Sequence, residues 1–578
     1  MGATAERMTS GEGLLEVLRA YGVEYVFSSP GSEWPAVWDV LARNEAEGRQ
    51  PRYVNTRHEM VAVGVAAGYY RQTRRLPAVL LHTGVGTAHC AMELRAARAE
   101  QIPLAVMAGE GIGFGEWPGR DPGAQFYRYL ADVGGPAELA APFVKRASTV
   151  GSAAALLGLV ADTCRLALTP PEGPVFLSVP MELMLGAEGL ARPGPFAPPP
   201  APLQPTPGAL EIVAEQLVAA ERPLILAEQA GKDPANVARL VALADALSIP
   251  VVEAYAPVYL NFPRDHPLHQ GYDATSLLKD ADLVLLVGCP IPWYPASARP
   301  AQARVIALDP DPAHAMHPYW AVGLDESLGG ALGPTLDGLL AAARERQLRG
   351  DSRVQERRTH WQDQHDRQRA AWRRTAASVG HDTPIDPRWA AHVLGEVLPA
   401  DAILSEELTT ERVFLLQGLP RTEPGTYQGR NHGGLGVSVS TALGLKFAAP
   451  ERLVVNVVGD GAFNYNPVFA AFGFQQQWDT PVLTVLFNNG SYAAMKNALG
   501  RYFPEGWAVR TGIYPGSEIT PVPDYVRFAE SFGAHAERVT DPAALRDALT
   551  RALARVRDGQ PALVDVVTAA LDPRRLGG

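Results

Sequence analysis

The stretch LVVNVVGDGAFNYNPVFAAFGFQQQWDTPVLTVLFNNGSY, residues 453–492, decides how the rest of the chain is read. LVVNVV is an almost uninterrupted apolar run that ends at Gly459-Asp460-Gly461, and PVLTVLF is a second run that ends at Asn488-Asn489. Both predict buried strands of a parallel sheet, because strands covered on both faces lose the alternation of apolar and polar residues. The 26 residues from Ala462 to Phe487 suffice for a helix and a return strand, which makes the whole a βαβ unit. In such a unit the carboxyl ends of the strands lie together, so Asp460 and the Asn pair reach one edge of the sheet. A carboxylate oxygen, an amide oxygen and a backbone carbonyl just beyond form a partial shell of hard oxygens. Mg²⁺ is usually held this way, with phosphate oxygens and water completing the octahedron. The glycines let the backbone approach a phosphate, and the following helix offers its free N–H groups. A Gly-Asp-Gly turn after a strand is also common without any ligand. The Asn pair at this distance favours the metal-bound diphosphate.

Length and composition bound the remainder. A chain of 578 residues is too long for a single core and suggests about three or four domains. With 47% hydrophobic and 20% charged residues it is ordinary globular material. A net charge of −11, with no basic cluster long enough to follow a phosphate backbone, argues against nucleic acid as a partner. Cys90, Cys164 and Cys289 have neither disulfide nor zinc spacing and read as small buried hydrophobes. The N-terminus enters an amphipathic helix without a signal-peptide core, and no apolar stretch approaches membrane-spanning length. The expected location is cytoplasmic.

The fold class expected is α/β, with three doubly wound parallel-sheet domains. Residues 8–185 alternate helices with short apolar strands: GLLEVLRAYGV, YVFSSPG, EMVAVGVAAGYYR, AVLLH, the glycine-bearing loop TGVGTAH, IPLAVMAG and GPVFLSVP. A proline-rich linker, 186–207, contains RPGPFAPPPAPLQPTP. A central domain, 208–345, carries RPLILAE, IPVVEAY, ADLVLLVG and ARVIALDPD as strands, and 346–386 is a polar, helix-prone connection that reads as a solvated helix or linker. The third domain, 387–572, contains the opening stretch.

Glu59, in VNTRHEMVAVGVAAGYYR, begins a helix whose next turns are small and apolar, which points its carboxylate into a dry interface. A carboxylate there can exchange a proton with a ring nitrogen near neutral pH. An acid in a first turn also simply complements the helix dipole. On local sequence both readings stand.

GDG, this gap and NN closely resemble the diphosphate and metal motif of thiamine diphosphate (ThDP) enzymes. The resemblance covers most of the chain. FSSPGSEWPAVWDVL, RHEMVAVGVAAGYYR, LLHTGVGTAH, GPVFLSVP, LSEELTT, GGLG and NNGSYAAMK are similar to the benzoylformate decarboxylase and acetolactate synthase branch, above all to benzoylformate decarboxylase. The resemblance implies a pyrimidine-binding first domain and a diphosphate-binding third domain. Glu59 would then hydrogen-bond the aminopyrimidine, Ser32 would hold the substrate carboxylate, and His82 would be the active-site histidine. Leu435 matches the bulky residue that bends the cofactor. Asp460, Asn489 and the Ser491 carbonyl match the metal ligands, and Gly459, Gly461, Ala462 and Tyr492 complete the cofactor-binding set. His89, His432, Gln125, Trp293, Tyr294, Ala494 and Ala498 are candidates for the substrate pocket. Bland readings stand beside several of these: Ser32 closing a Pro-Gly turn, His82 as a structural histidine, and Leu435 as core.

Two departures bear on the substrate. Where benzoylformate decarboxylase has a second histidine, VGCPIPWYPAS offers Trp293, Tyr294 and Pro295, and Ala498 stands where an aromatic is expected, implying a wider pocket. No Arg-rich loop of the kind that binds FAD is found, so FAD is not expected. The resemblance implies a ThDP- and Mg²⁺-dependent 2-oxo acid decarboxylase or carboligase, working through an enamine on ThDP to an aldehyde or a 2-hydroxyketone. The alternatives are an acetolactate-synthase-like transferase, a lyase acting on another C–C bond, or a non-catalytic paralogue. The cofactor would lie between the first domain of one subunit and the third domain of another, so a homodimer is the minimum expected and a homotetramer is common in the family.

Overall fold

The computed structural model describes residues 7–29, 31–111, 134–186, 190–191, 194–254, 257–312, 323–346, 352–430 and 434–570. Three parallel sheets organise them. The first contains β1 (Tyr25–Ser28), β2 (Arg52–Asn55), β3 (Ala78–Leu81), β4 (Leu104–Glu110), β5 (Arg146–Thr149) and β6 (Pro174–Pro180), in the order β2-β1-β3-β4-β6-β5. The central sheet contains β7 (Pro223–Ala227), β8 (Val251–Glu253), β9 (Leu283–Val287), β10 (Arg304–Asp309) and β11 (Glu326–Gly329), in the order β8-β7-β9-β10-β11. The third contains β12 (Ile403–Glu407), β13 (Tyr427–Gln428), β14 (Val454–Gly459), β15 (Leu483–Asn488), β16 (His535–Val539) and β17 (Ala562–Val567). Their order is β13-β12-β14-β15-β17-β16, the same winding as the first sheet.

The inner strands β3, β4, β9 and β15 are buried along their whole length, as continuous apolar runs require when helices cover both faces. The first compact unit combines residues 1–201 with 434–450 and 466–480, and so includes the helices Ser438–Ala448 and Val468–Trp478. The second combines 202–433 with 451–465 and 481–578 and holds the central and third sheets. The polar run after the central domain is one helix, Ser352–Ser378, mostly solvated and with His365 and Ala376 as its buried residues.

A close crossing in the first unit joins the helices Glu59–Thr73 and Ser438–Ala448. A Cβ on Gly68 would lie 2.2 Å from the Thr441 carbonyl oxygen, and one on Gly444 would lie 2.1 Å from that of Val65. The backbones touch, so neither position has room for a side chain. Beside the crossing, Phe447 meets Tyr25 and Phe27 of β1 edge to face, at 5.0 and 5.7 Å.

Gly444→Val is expected to destabilise the protein by roughly 3 kcal/mol or more, because backbone must move to admit the side chain. Gly158→Ala, in the exposed part of the helix Ala153–Ala167 where nothing lies within 4 Å of the added carbon, is expected to stabilise by about 0.5–1 kcal/mol. Denaturant melts of the two variants check both signs.

Candidate active site

The sequence brings two sets of polar residues to strand ends, one in each unit. In the first, β2 leads through Arg57, a non-glycine residue with φ +62°, into the helix that begins at Glu59. His58 caps that helix by accepting the Met60 N–H on Nδ1 at 3.1 Å. Glu59 is buried, and His89 Nδ1 reaches its Oε2 at 3.3 Å while the His89 ring stacks on His58 with 5.3 Å between centroids.

His82 follows β3 directly and is followed by Thr83, a β-branched residue with φ +35°. That strained residue re-aims the chain after the strand. TGVGTAH, expected as a loop, is the helix Thr83–His89, since its glycines are needed for proximity and not for a turn. A Cβ on Gly86 would sit 3.0 Å from Glu59 Cγ and 3.4 Å from His82 Cβ, so this glycine lies between the two side chains. Gly31 is needed for a like reason: its Cβ would fall 2.9 Å from the His82 Cα. The turn that carries the exposed Ser32 is thereby pressed onto the end of β3, and Trp34 Nε1 donates to the Leu81 carbonyl at 2.9 Å.

This packing brings in a residue the sequence reading did not single out. Glu33 is fully buried and its Oε2 lies 2.8 Å from His82 Nδ1. A carboxylate only accepts, so Nδ1 carries the proton and Nε2 is left to exchange one. His58, Glu59 and His89 offer ligand atoms within 4.8 Å of one another, a spacing a metal ion could bridge. The Met60 amide already occupies the His58 Nδ1 lone pair, which leaves that atom unavailable to a cation.

In the second unit, β14 ends at Gly459 and a short helix, Asp460–Tyr465, starts at once. Asp460 is buried. Its Oδ1 accepts the Gly461 N–H at 2.9 Å, and its Oδ2 is enclosed without a hydrogen-bond partner among the described residues. Burial, with a smaller push from Glu411, raises this carboxyl to about 7. The two asparagines divide their roles. Asn488 donates to Asp565 at 2.9 Å inside the sheet, and Asn489 holds the Ser491 N–H and hydroxyl on Oδ1, each at 3.0 Å. The Asn489 amide donates to Glu411 at 3.0 Å. Glu411, also missed in sequence, is a buried acid whose carboxyl burial pushes up. No local pattern marks it, because the fold alone brings it beside β15. The Tyr492 ring lies against Gly461, where an added Cβ would come within 2.9 Å of it.

The other expected residues are placed as follows. Leu435, in the first unit, is exposed. In the second unit Ala462 is buried, Ala494 and Ala498 are exposed on the helix Ala493–Tyr502, and Tyr294 is 71% exposed. Trp293 is enclosed by the apolar core of the central domain with Leu224, Leu286 and Val305. Gln125 and His432 lie outside the described residues.

Models of the N-terminal, central and C-terminal domains of thiamine pyrophosphate enzymes match residues 8–112, 210–338 and 410–566, in that order and over more than half of the chain. The chain belongs to the thiamine pyrophosphate enzyme family. Benzoylformate decarboxylase of Pseudomonas aeruginosa is 28% identical, over 96% of this chain and 98% of that protein. A probable acetolactate synthase of Mycobacterium bovis is 27% identical, over 99% and 98%. The structure of a thiamine diphosphate-dependent 4-hydroxybenzoylformate decarboxylase from Rhodococcus jostii RHA1 superposes with a TM-score of 0.78 at 24% identity, covering 98% of this chain and all of that one, and shows the shared fold. Among the described residues no helix is long and apolar enough to cross a membrane.

The carboxyl edge of the third sheet fits the diphosphate end of this family's cofactor. It offers open space over Gly459, where a Cβ would meet nothing within 4 Å, and the enclosed Asp460 Oδ2, unpartnered among the described residues, which suits a cation carried by a diphosphate. Gly459→Ala is therefore expected to leave the melting temperature of the cofactor-free thiamine pyrophosphate enzyme unchanged and to weaken ThDP binding at least about tenfold. Gly31→Ala, which clashes with backbone, is expected to lower stability by about 2 kcal/mol even without cofactor. Calorimetric binding and melting of both variants separate a glycine kept for the ligand from one kept for the fold.

Proposed function

We propose that the protein is a ThDP- and Mg²⁺-dependent 2-oxo acid decarboxylase or carboligase, releasing an aldehyde or a 2-hydroxyketone. The observation that carries this reading is the placement of Glu59 and His82 on either side of Gly86, with His82 held at Nδ1 by buried Glu33. Two proton-handling groups then face one small volume. ThDP, when bound, supplies the electron sink that makes loss of CO₂ from a 2-oxo acid possible.

The chain's own residues do the rest. Glu59, buried at a helix start, holds a proton at a ring nitrogen of the cofactor, and His89 touches the far side of its carboxylate. Ser32, exposed on the turn against His82, donates a hydrogen bond to the substrate carboxylate. His82 exchanges a proton at Nε2 with the reacting centre. Asp460, Asn489 and the Ser491 carbonyl would hold Mg²⁺, whose charge compensates the Asp460 carboxylate that burial otherwise disfavours.

The active unit in this reading is a homodimer or homotetramer, one chain supplying Glu59 and another Asp460. Exposed apolar side chains next to the metal-binding edge support it: Met495, Tyr502, Phe503 and Trp507 all stand open on or just after the helix that follows Ser491. A second reading, transfer to a carbonyl acceptor as in the acetolactate synthases, is favoured by the small side chains of Ala494 and Ala498 on the same helix.

The test is turnover of aliphatic and aromatic 2-oxo acids by the ThDP-loaded protein, with and without an aldehyde acceptor, reading CO₂ and product together. Aldehyde formed without acceptor supports decarboxylation, product only with acceptor supports ligation, and no CO₂ from any 2-oxo acid despite bound ThDP rejects both. Glu59→Gln is expected to bind ThDP with near wild-type affinity and to slow exchange of the C2 proton by about a hundredfold or more, followed by NMR in D₂O.

A further inference from the structure

Within the second unit, the helix Ser352–Ser378 runs past the helices Pro387–Val397 and Arg412–Gly418, and a cavity of about 270 Å³ opens among the three. Its wall combines Trp372 and Phe414 with the cations Arg369, Arg373 and Arg388. Two of the nearby acids are committed elsewhere, while a third, Asp265, is exposed and partly offsets the Arg369 charge. Asp386 takes Arg388 in a two-pronged ion pair at 2.8 and 2.6 Å, and Glu396 pairs with Arg546 and lies 3.7 Å from His392. Arg369 and Arg373 form no ion pair among the described residues. Arg369 Nη1 is enclosed with no hydrogen-bond partner among the described residues, and its guanidinium lies 5.9 Å from the centroid of the Trp372 ring, with Tyr272, Arg373, Arg264 and Asp265 also acting on its charge. Burial, opposed by Tyr272 and Asp265 and helped by the charges of Arg373 and Arg264, lowers the affinity of Arg369 for its proton.

An enclosed guanidinium donor without an acceptor is expensive to maintain. A second cation, Arg373, stands at the mouth of the same cavity and adds to its positive field. The aromatic walls are fixed: Trp372 stacks on Tyr272 at 6.1 Å and 18°, and the Tyr272 hydroxyl donates to the Leu416 carbonyl at 2.9 Å. Phe414 carries the Arg388 guanidinium over its ring at 5.8 Å. Aromatic walls suit a planar apolar body, and a carboxylate matches the fork of a guanidinium.

We propose that this cavity binds a small organic carboxylate of about one ring, its body between Trp372 and Phe414 and its carboxylate on Arg369 and Arg373.

The test is calorimetric titration of the full-length protein with benzoate at constant ionic strength, with phenyl phosphate as a second oxyanion and inorganic phosphate as an anion without an apolar body. The expected result is saturable benzoate binding, weakened at least tenfold by Arg369→Gln with Arg373→Gln, and little binding of inorganic phosphate. Arg373 is exposed, so Arg373→Gln alone, expected to weaken benzoate severalfold, reports on binding without any folding defect. Arg369→Gln is expected to melt at or above the wild-type temperature without benzoate, and benzoate is expected to raise the melting temperature of the wild type but not of the double variant. Benzoate binding that is absent, or as tight in the double variant as in the wild type, overturns the site. Equal binding of inorganic phosphate replaces the aromatic carboxylate with a simple oxyanion. An Arg369→Gln protein that melts lower and still binds benzoate as the wild type does makes Arg369 a structural residue.

Discussion

The close approach of the helices Glu59–Thr73 and Ser438–Ala448 is the constraint on which the first half of the molecule depends. At Gly68 and Gly444 there is no side chain between the two backbones, and an added Cβ at either glycine would fall inside a carbonyl oxygen of the other helix. The helix Glu59–Thr73 is consequently buried on every face along almost its whole length, including residues that an amphipathic helix would leave in water. A helix so enclosed cannot slide or rotate, and its first residue inherits that rigidity. Glu59 therefore needs only the His58 cap and the close neighbour Gly86 to hold its carboxylate in one place.

The first and third sheets share one winding order but end in different chemistry. In the first, the strand ends carry His82 and the buried acids Glu33 and Glu59. In the third, β14 and β15 end in Asp460 and Asn489, hard oxygens beside a helix start, which suit a cation and a phosphate. Parallel sheets bury their strands and expose polar groups only at the carboxyl edge, so a duplicated sheet gives two such edges with independent freedom to vary.

The strands and the meeting of Asp460 and Asn489 at one sheet edge were legible because their signals are local: LVVNVV and PVLTVLF are apolar runs, and GDG and NN stand directly at their ends. Residues that act through tertiary proximity were not. Glu33 is one of several acids near a Pro-Gly turn until the fold seats that turn on His82. Glu411 stands 78 residues from Asn489, and nothing in EELTTERV distinguishes it from its neighbours Glu406 and Glu407. TGVGTAH misled in the opposite direction, since glycines that usually signal a turn here admit Glu59 and His82 to either side of a helix. The charge run after the central domain gave its helix, but a mean pattern could not show that Arg369 and Trp372 turn inward from it.

The second unit is held differently, through a charge. Arg264 and Glu253 are both fully buried, 3.1 Å apart, and His269 lies 3.4 Å from the same carboxylate. Burial alone would raise the Glu253 carboxyl, and Arg264 and His269 overcome it to hold the group below its usual range. Among the described residues the Arg264 Nη atoms have no hydrogen-bond acceptor, and the guanidinium faces aromatic rings: Tyr272 at 5.6 Å and Tyr427 at 4.3 Å. Tyr427 is on β13 of the third sheet and Glu253 is on β8 of the central one, so a single guanidinium spans both. The Arg264 N–H adds a backbone bond to the Arg421 carbonyl at 3.0 Å. A buried ion pair adds little net stability over an apolar pair of the same shape, yet breaking it strands a charge. Its contribution is directional. Any other placement of the central sheet against the third would part Arg264, which Glu253 and Tyr272 hold on the central side, from the Tyr427 ring, so the contact fixes a register that apolar packing alone would leave adjustable.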